Sequence, residues 1–217
     1  MLLVTDSPPS PGTVEAAAAV LRRGDVVALP TDTVYGLAAL PGVRGATRRL
    51  FALKGRAADV PIAVLCADTA QALGLAEPPS AEVQRIVGRL WPGPLTVVLR
   101  RRRAIVSWEL GEPADTIGLR CPDHDLVRAL AREVGPLATT SANRHGEPTP
   151  PIAPMVAQVF DEEVGLVLDG GECRGVPSTV IEATGPGWRT LRPGSITAAD
   201  VEAAAGDPGT QGGRPAG

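Results

Sequence analysis

The chain has 217 residues, a net charge of −3 and 44% apolar residues, enough apolar matter for one sizeable core and too little positive charge for a protein whose main task is coating nucleic acid. Three widely spaced cysteines (Cys66, Cys121, Cys173) and only two histidines (His124, His145) exclude a disulfide framework, a C-x-x-C zinc site and a His-rich metal centre. The opening MLLVTDSPPSPG meets proline too early for a signal peptide and no later stretch reaches transmembrane length, so a soluble, cytoplasmic protein is expected.

Along the chain, residues 13–23 read as a helix with Thr13 as N-cap and Gly24 as its stop. The β-branched run over residues 25–29 then reads as a strand that ends in Pro30, Thr31, Asp32 and Thr33. Apolar spacing predicts a helix over residues 43–53, which leaves Lys54 and Arg56 as loop or strand-entry residues beyond its end. A strand at 61–66, helices near 68–73 and 80–90, and strands at 95–99 and 115–120 follow. Next come a helix over 123–133, strands at 137–140, 164–168, 178–183 and 188–191, and a helix near 198–204. Such intermixing predicts an α/β fold: one domain over residues 12–204 with a twisted, mixed open sheet flanked by helices. Residues 1–11 and 205–217 are expected to be flexible termini. The run Arg100, Arg101, Arg102 and Arg103 reads more readily as a solvated turn than as a binding site.

Polar groups recur where predicted strands end: Thr31 and Thr33, Arg120, Ser141 and Asn143, Ser178 and Thr179, and Arg192. The set offers cations, hydroxyls and an amide but few carboxylates or imidazoles, so it suits anions, above all phosphates, and suits proton abstraction poorly. Neither G-x-x-x-x-G-K-[ST] nor G-x-G-x-x-G occurs, and Ser141 lacks the G-x-S-x-G elbow of a nucleophile. Composition adds a further pointer, because only one of the 21 basic residues is a lysine, Lys54. It stands in the string KGR, as the single tyrosine, Tyr35, stands in PTDTVYGL and the single asparagine, Asn143, in TTSANRHG. A chain that otherwise uses arginine and keeps one lysine suggests a position that needs the compact ammonium.

PTDTVYGL, LKGR with a Pro-Ile-Ala-Val strand after it, LWPGPLTVVL, IGLRCPDH, TTSAN, PSTV and LRPG follow one another in this order. In order and spacing they resemble the YrdC/TsaC-like family, the threonylcarbamoyl-AMP synthases. The resemblance implies a YrdC-like fold and a nucleotidyltransferase that joins L-threonine, bicarbonate (as CO2) and ATP into L-threonylcarbamoyl-AMP. Pyrophosphate leaves, and the product serves tRNA threonylcarbamoyladenosine modification. By matching motif, Thr33, Arg120, Thr139 and Ser178 are expected on L-threonine. Arg56, Thr116, Ser141, Thr149 and Arg192 are expected on ATP, with Lys54 on phosphate and Asn143 on the nucleotide. Lys54 and Arg56 are expected to carry the catalysis. Mg2+ would come with ATP; later enzymes of the pathway and tRNA are the implied partners. Longer members of the family have an asparagine and a histidine where this chain has Val60 and Leu65. Two further readings stay open at this stage. One is a non-catalytic tRNA or double-stranded RNA binding module with Lys54, Arg56, Arg100–Arg103 and Arg120 on a basic concave face. The other is a relative that forms carbamoyl-AMP.

Overall fold

The computed structural model describes residues 2–4, 8–55, 60–173 and 175–206. Strand β1 (Leu2–Val4) precedes α1 (Pro11–Arg22), and β2 (Val27–Leu29) and β3 (Gly36–Ala39) follow. Then come α2 (Ala46–Lys54), β4 (Ala63–Leu65), α3 (Thr69–Gly74), α4 (Ala81–Leu90), β5 (Leu95–Arg100) and β6 (Thr116–Arg120). The chain continues through α5 (Asp125–Val134), β7 (Leu137–Ser141), α6 (Ala153–Phe160), a 3-10 turn (Asp161–Glu163) and β8 (Leu166–Asp169). It closes with β9 (Thr179–Glu182), β10 (Arg189–Arg192) and α7 (Ala198–Ala205).

All the described strands join one mixed sheet in the order β1-β8-β2-β3-β7-β4-β6-β5-β9-β10. Because side chains alternate along a strand, each strand sends every second residue to opposite faces. One face presents Val64, Val97, Leu119 and Ala138 to a large apolar cluster shared with α2, α4, α6 and α7. The other presents Leu29, Ala38, Leu65 and Leu137 to a smaller cluster with α1 and α5. These two helices cover the β8-β2-β3-β7 side of their face as far as Leu65 of β4. Each fully enclosed leucine in the clusters contributes roughly 1.5–3 kcal/mol of burial, so both faces are anchored where helices lie. Over the Ala63 end of β4 and over β6, β5 and β9 the second face is left open.

Local chemistry sets the element ends. Ser10, not Thr13, caps α1: its hydroxyl accepts from the Thr13 N–H at 3.2 Å, because Pro11 already fits the first helical position. α2 begins at Ala46 rather than at residue 43, since Gly45 holds a left-handed conformation (φ 83°) just before it. Lys54 is therefore the last residue of that helix and not a loop residue, and Gly55, also left-handed, closes it. Leu2–Val4, expected in a flexible terminus, pair in parallel with β8. β3 and α6 were not expected from the sequence. Residues 207–217, expected to be flexible, lie outside the described residues.

Candidate anion-binding site

The open part of the second face is a cavity of about 390 Å3. Its floor follows the strand alternation: Ala63 and Leu65 from β4, Thr96 and Val98 from β5, Thr116, Gly118 and Arg120 from β6, Thr139 and Ser141 from β7. Register fixes their mutual places, with Ala63 opposite both Gly118 and Thr139, and Leu65 opposite Arg120. Two ends result. Thr116 and Ser141 lie two residues beyond the Ala63 row in one direction, and Arg120 lies in the other.

At the Arg120 end the guanidinium is 5% exposed and held on three sides. Nε donates to Gly93 O at 3.1 Å, Nη1 to Thr33 Oγ1 at 3.1 Å and Nη2 to Asp32 Oδ1 at 2.5 Å. Asp32 and Thr33 reach it because Thr31 folds the turn. The Thr31 hydroxyl accepts from the N–H groups of Thr33 and Val34 and donates to Val34 O at 2.6 Å, a side-chain substitute for a backbone turn. Gly175 seals this turn: its N–H donates to Thr33 O at 2.9 Å, and a Cβ there would overlap the Thr33 backbone. Beside Arg120, Ser178 Oγ lies 3.0 Å from Thr96 Oγ1, and Arg192 Nη2 donates to Ser178 O at 2.8 Å. Desolvation, and then the charge of Arg120, pull the Arg192 guanidinium below its ordinary value. Two cations are thus crowded together beside two hydroxyls, an arrangement that an anion relieves.

At the other end Ser141 and Thr149 line the wall, and Lys54 stands one layer behind it. Its ammonium is 4% exposed and donates to Asn143 O at 2.6 Å, Asn143 Oδ1 at 2.7 Å and Ser141 O at 2.9 Å. Asn143 Oδ1 also accepts from Ser141 Oγ at 2.6 Å, while Nδ2 donates to Glu147 O at 2.6 Å. Lysine and asparagine together clamp the loop that presents Ser141. Thr139, 8% exposed, turns its hydroxyl to Leu137 O.

Of the residues expected from the sequence, Thr33, Thr116, Arg120, Thr139, Ser141, Thr149, Ser178 and Arg192 line this one cavity. Lys54 and Asn143 support the wall, and Arg56 lies outside the described residues. Thr96, Arg101, Thr140 and Glu182 are polar lining residues that escaped the sequence reading. Thr96 could have been found as the polar residue inside an otherwise apolar strand, whereas Arg101 carried no such signal. Expected in a solvated turn, Arg101 is in fact 6% exposed and faces the cavity. The RNA-binding reading is not favoured, since three of its cations, Lys54, Arg101 and Arg120, are buried. Tyr35 packs beneath the turn, with its hydroxyl donating to Gly171 O at 2.7 Å, and burial pushes its pKa up to about 12. Burial likewise raises the thiols of Cys66, Cys121 and Cys173, which keeps them as inert thiols.

The family described as telomere recombination, Sua5/YciO/YrdC, matches residues 19–194. A threonylcarbamoyl-AMP synthase of Bacillus subtilis is 39% identical over 195 residues, covering 89% of this chain and 56% of the relative. One of Pyrococcus abyssi is 37% identical over 196 residues, covering 89% and 57%. A putative threonylcarbamoyl-AMP synthase of Mycobacterium tuberculosis is 35% identical and is covered over 86% of its length. The chain thus spans a little over half of the first two relatives. Among solved structures, P. abyssi Sua5 complexed with L-threonine superposes with a TM-score of 0.87 at 36% identity, covering 94% of this chain and 60% of that one. E. coli YciO, at 23% identity and a TM-score of 0.80, shares the fold. A sheet with one face left open, a cavity on that face lined by arginines and hydroxyls and a family match across most of the sequence agree: this chain belongs to the Sua5/YciO/YrdC family.

Proposed function

We propose that the chain is a nucleotidyltransferase that condenses L-threonine, CO2 from bicarbonate and ATP into L-threonylcarbamoyl-AMP. The observation that carries this reading is the convergence of Arg120 and Arg192 on Ser178 and Thr33 at one end of a cavity whose other end holds Ser141, Thr116 and Thr149. That layout gives two anions adjoining seats. L-Threonine would set its carboxylate on Arg120, with Thr33, Thr139 and Ser178 around it, and ATP would extend from Arg192 toward Ser141, Thr149 and Thr116. Lys54 and Asn143 would act through the loop they hold, and Arg56 would serve the phosphates. In the reaction the threonine nitrogen bonds to the carbon of CO2 and releases a proton to water. A carbamate oxygen then bonds to the α-phosphorus as the bond to pyrophosphate breaks.

Such a step needs no base on the protein, since the carbamate is already a nucleophile. Its barrier comes from bringing anions together, and preorganised cations and donors commonly lower such barriers by roughly 3 kcal/mol each. The donor set suits Mg2+ carried by the triphosphate: among the described residues no cluster of three His, Cys, Asp or Glu side chains could cage an ion, and Glu182 is a carboxylate on the cavity wall. The ion would supply charge neutralisation of the phosphates. Among the described residues no helix is long and apolar enough to cross a membrane, and cytoplasmic work beside the later enzymes of tRNA threonylcarbamoylation fits this reading.

The test is pyrophosphate release from ATP and bicarbonate with and without L-threonine, with mass detection of the adenylate. Threonine-dependent release with the threonylcarbamoyl adduct is expected. Carbamoyl-AMP formed without threonine, or no product from folded protein, would sink the assignment.

A further inference from the structure

The basic run at the end of β5 contains one residue unlike its neighbours. Arg100, Arg102 and Arg103 are exposed, whereas Arg101 is drawn inward by a bridge to Ala76 and by its N–H donating to Asp115 O at 2.8 Å. Its Nε donates to Thr116 O at 3.1 Å and its Nη1 to Trp108 O at 2.9 Å. Both partners are neutral carbonyls, and among the described residues no carboxylate lies within ion-pair distance of it. A guanidinium has five N–H donors, so these contacts leave donors over. Burying a charge against neutral partners alone is costly unless an anion joins it. Burial, and then Arg103, hold this guanidinium below its ordinary value, against smaller opposing effects from Glu112 and Asp115, neither of which pairs with it directly.

We propose that Arg101 is a further phosphate-binding residue of the cavity, contacting the nucleotide on its pyrophosphate side. The proposal rests on the ATP reading above. Placement supports it: Arg100 pairs with Thr116, so Arg101 sits at the Thr116 end, opposite the Arg120 and Arg192 pair. A triphosphate whose α-phosphorus meets the carbamate between Arg120 and Arg192 extends its outer phosphates toward Thr116 and Arg101. The side chain also spans from β6 to Trp108 in the 101–115 connection, whose Leu110, Gly111 and Pro113 form that wall of the cavity, so occupancy by phosphate would fix the wall in place.

Calorimetric titration of wild type, Arg101→Gln and Arg101→Lys with ATP, AMP, inorganic pyrophosphate and L-threonine tests this. Gln keeps a donor for the carbonyls but no charge; Lys keeps the charge. Arg101→Gln is expected to weaken ATP and pyrophosphate about ten- to a hundredfold, with AMP and L-threonine within about twofold and an unchanged far-ultraviolet spectrum. Arg101→Lys should recover most of the lost affinity. Wild-type ATP affinity in Arg101→Gln overturns the proposal, and so does an equal loss for AMP and L-threonine, which would mark a structural role in the loop. If Arg101→Gln does not fold, Arg101→Lys decides: ATP weakened more than tenfold in that folded, charged variant overturns it. Wild-type protein that binds L-threonine but not ATP overturns the ATP reading itself, and the proposal with it.

Discussion

Four oxygen atoms decide between ammonium and guanidinium at Lys54. Ser141 O and Oγ and Asn143 O and Oδ1 lie within 3.3 Å of its Nζ, a close cluster shared by three N–H donors on one nitrogen that a planar fork does not match. The sequence singles the residue out by its rarity, and the structure places it differently from that reading. Spacing suggests a loop residue beyond a helix and the resemblance a phosphate ligand, whereas Lys54 ends α2, where the helix dipole favours a cation, and its ammonium holds the Ser141 loop. Lys54→Arg is therefore expected to cost about 1–3 kcal/mol of stability through overpacking and to weaken ATP as the loop shifts. Urea denaturation and ATP titration check both effects together. Full nucleotide affinity in a destabilised Lys54→Arg would separate the lysine from the site. Arg120 and Ser178 stand at strand ends legible in the sequence, Arg120 as the last residue of β6 and Ser178 just before β9. Arg101 was not legible in this way, since its burial is set by a bridge to Ala76, a contact that residue type does not announce.

Strands and helices were legible where their pattern was self-contained and obscure where tertiary packing overrides propensity. β5 and β6 carry β-branched runs. β3 reads GLAA and forms only because β2 and β7 flank it, with Gly36 leaving room for Thr139. α6 begins with Pro154 in its first turn, a position that hides a helix from a reader who takes proline as a stop. α5 shows a different compromise. Its N-cap is His124, which gives no side-chain cap, and the His124 Nδ1 is buried without a partner. Burial lowers the imidazole pKa from its ordinary 6.5, against smaller opposing effects from Asp32, Asp125 and Asp123. In the unfolded chain the group takes up a proton more readily than in the fold, so its contribution is complete above about pH 6.5 and is lost as pH falls below that value. Stability measured in urea at pH 7.5 and pH 5 should fall for wild type and fall less for His124→Asn, which removes the titration and offers α5 a capping oxygen. An identical fall in both proteins would clear His124 of the effect.

For the whole molecule, what matters is that the cavity spans the middle of the sheet while the helices of its own face sit to one side. α1 and α5 brace β8, β2, β3, the start of β7 and Leu65 of β4, whereas β6, β5 and the Ala63 end of β4 have helices on one face only and meet the cavity on the other. Under the proposed function, ligands would complete the second layer over the strands that lack one. Binding to the folded state alone stabilises by roughly 2.7 kcal/mol at a hundred times Kd, a rise of about 2–4 °C in Tm for each kcal/mol in a domain of this size. The gain should not be spread evenly, because amides exchange through local opening as well as global unfolding. With ATP and L-threonine together, hydrogen exchange is expected to slow most in β4, β6, β5 and the Thr31–Tyr35 turn. Segments under α1 and α5 should change only as far as global stability does. RNA at low salt should reproduce neither the rise in Tm nor this pattern, since the cations of the cavity are buried and a surface-bound polyanion is displaced as salt rises. Uniform protection across the sheet, or protection centred on β1 and β8, would place the ligands elsewhere and leave the open half of the sheet without its second layer.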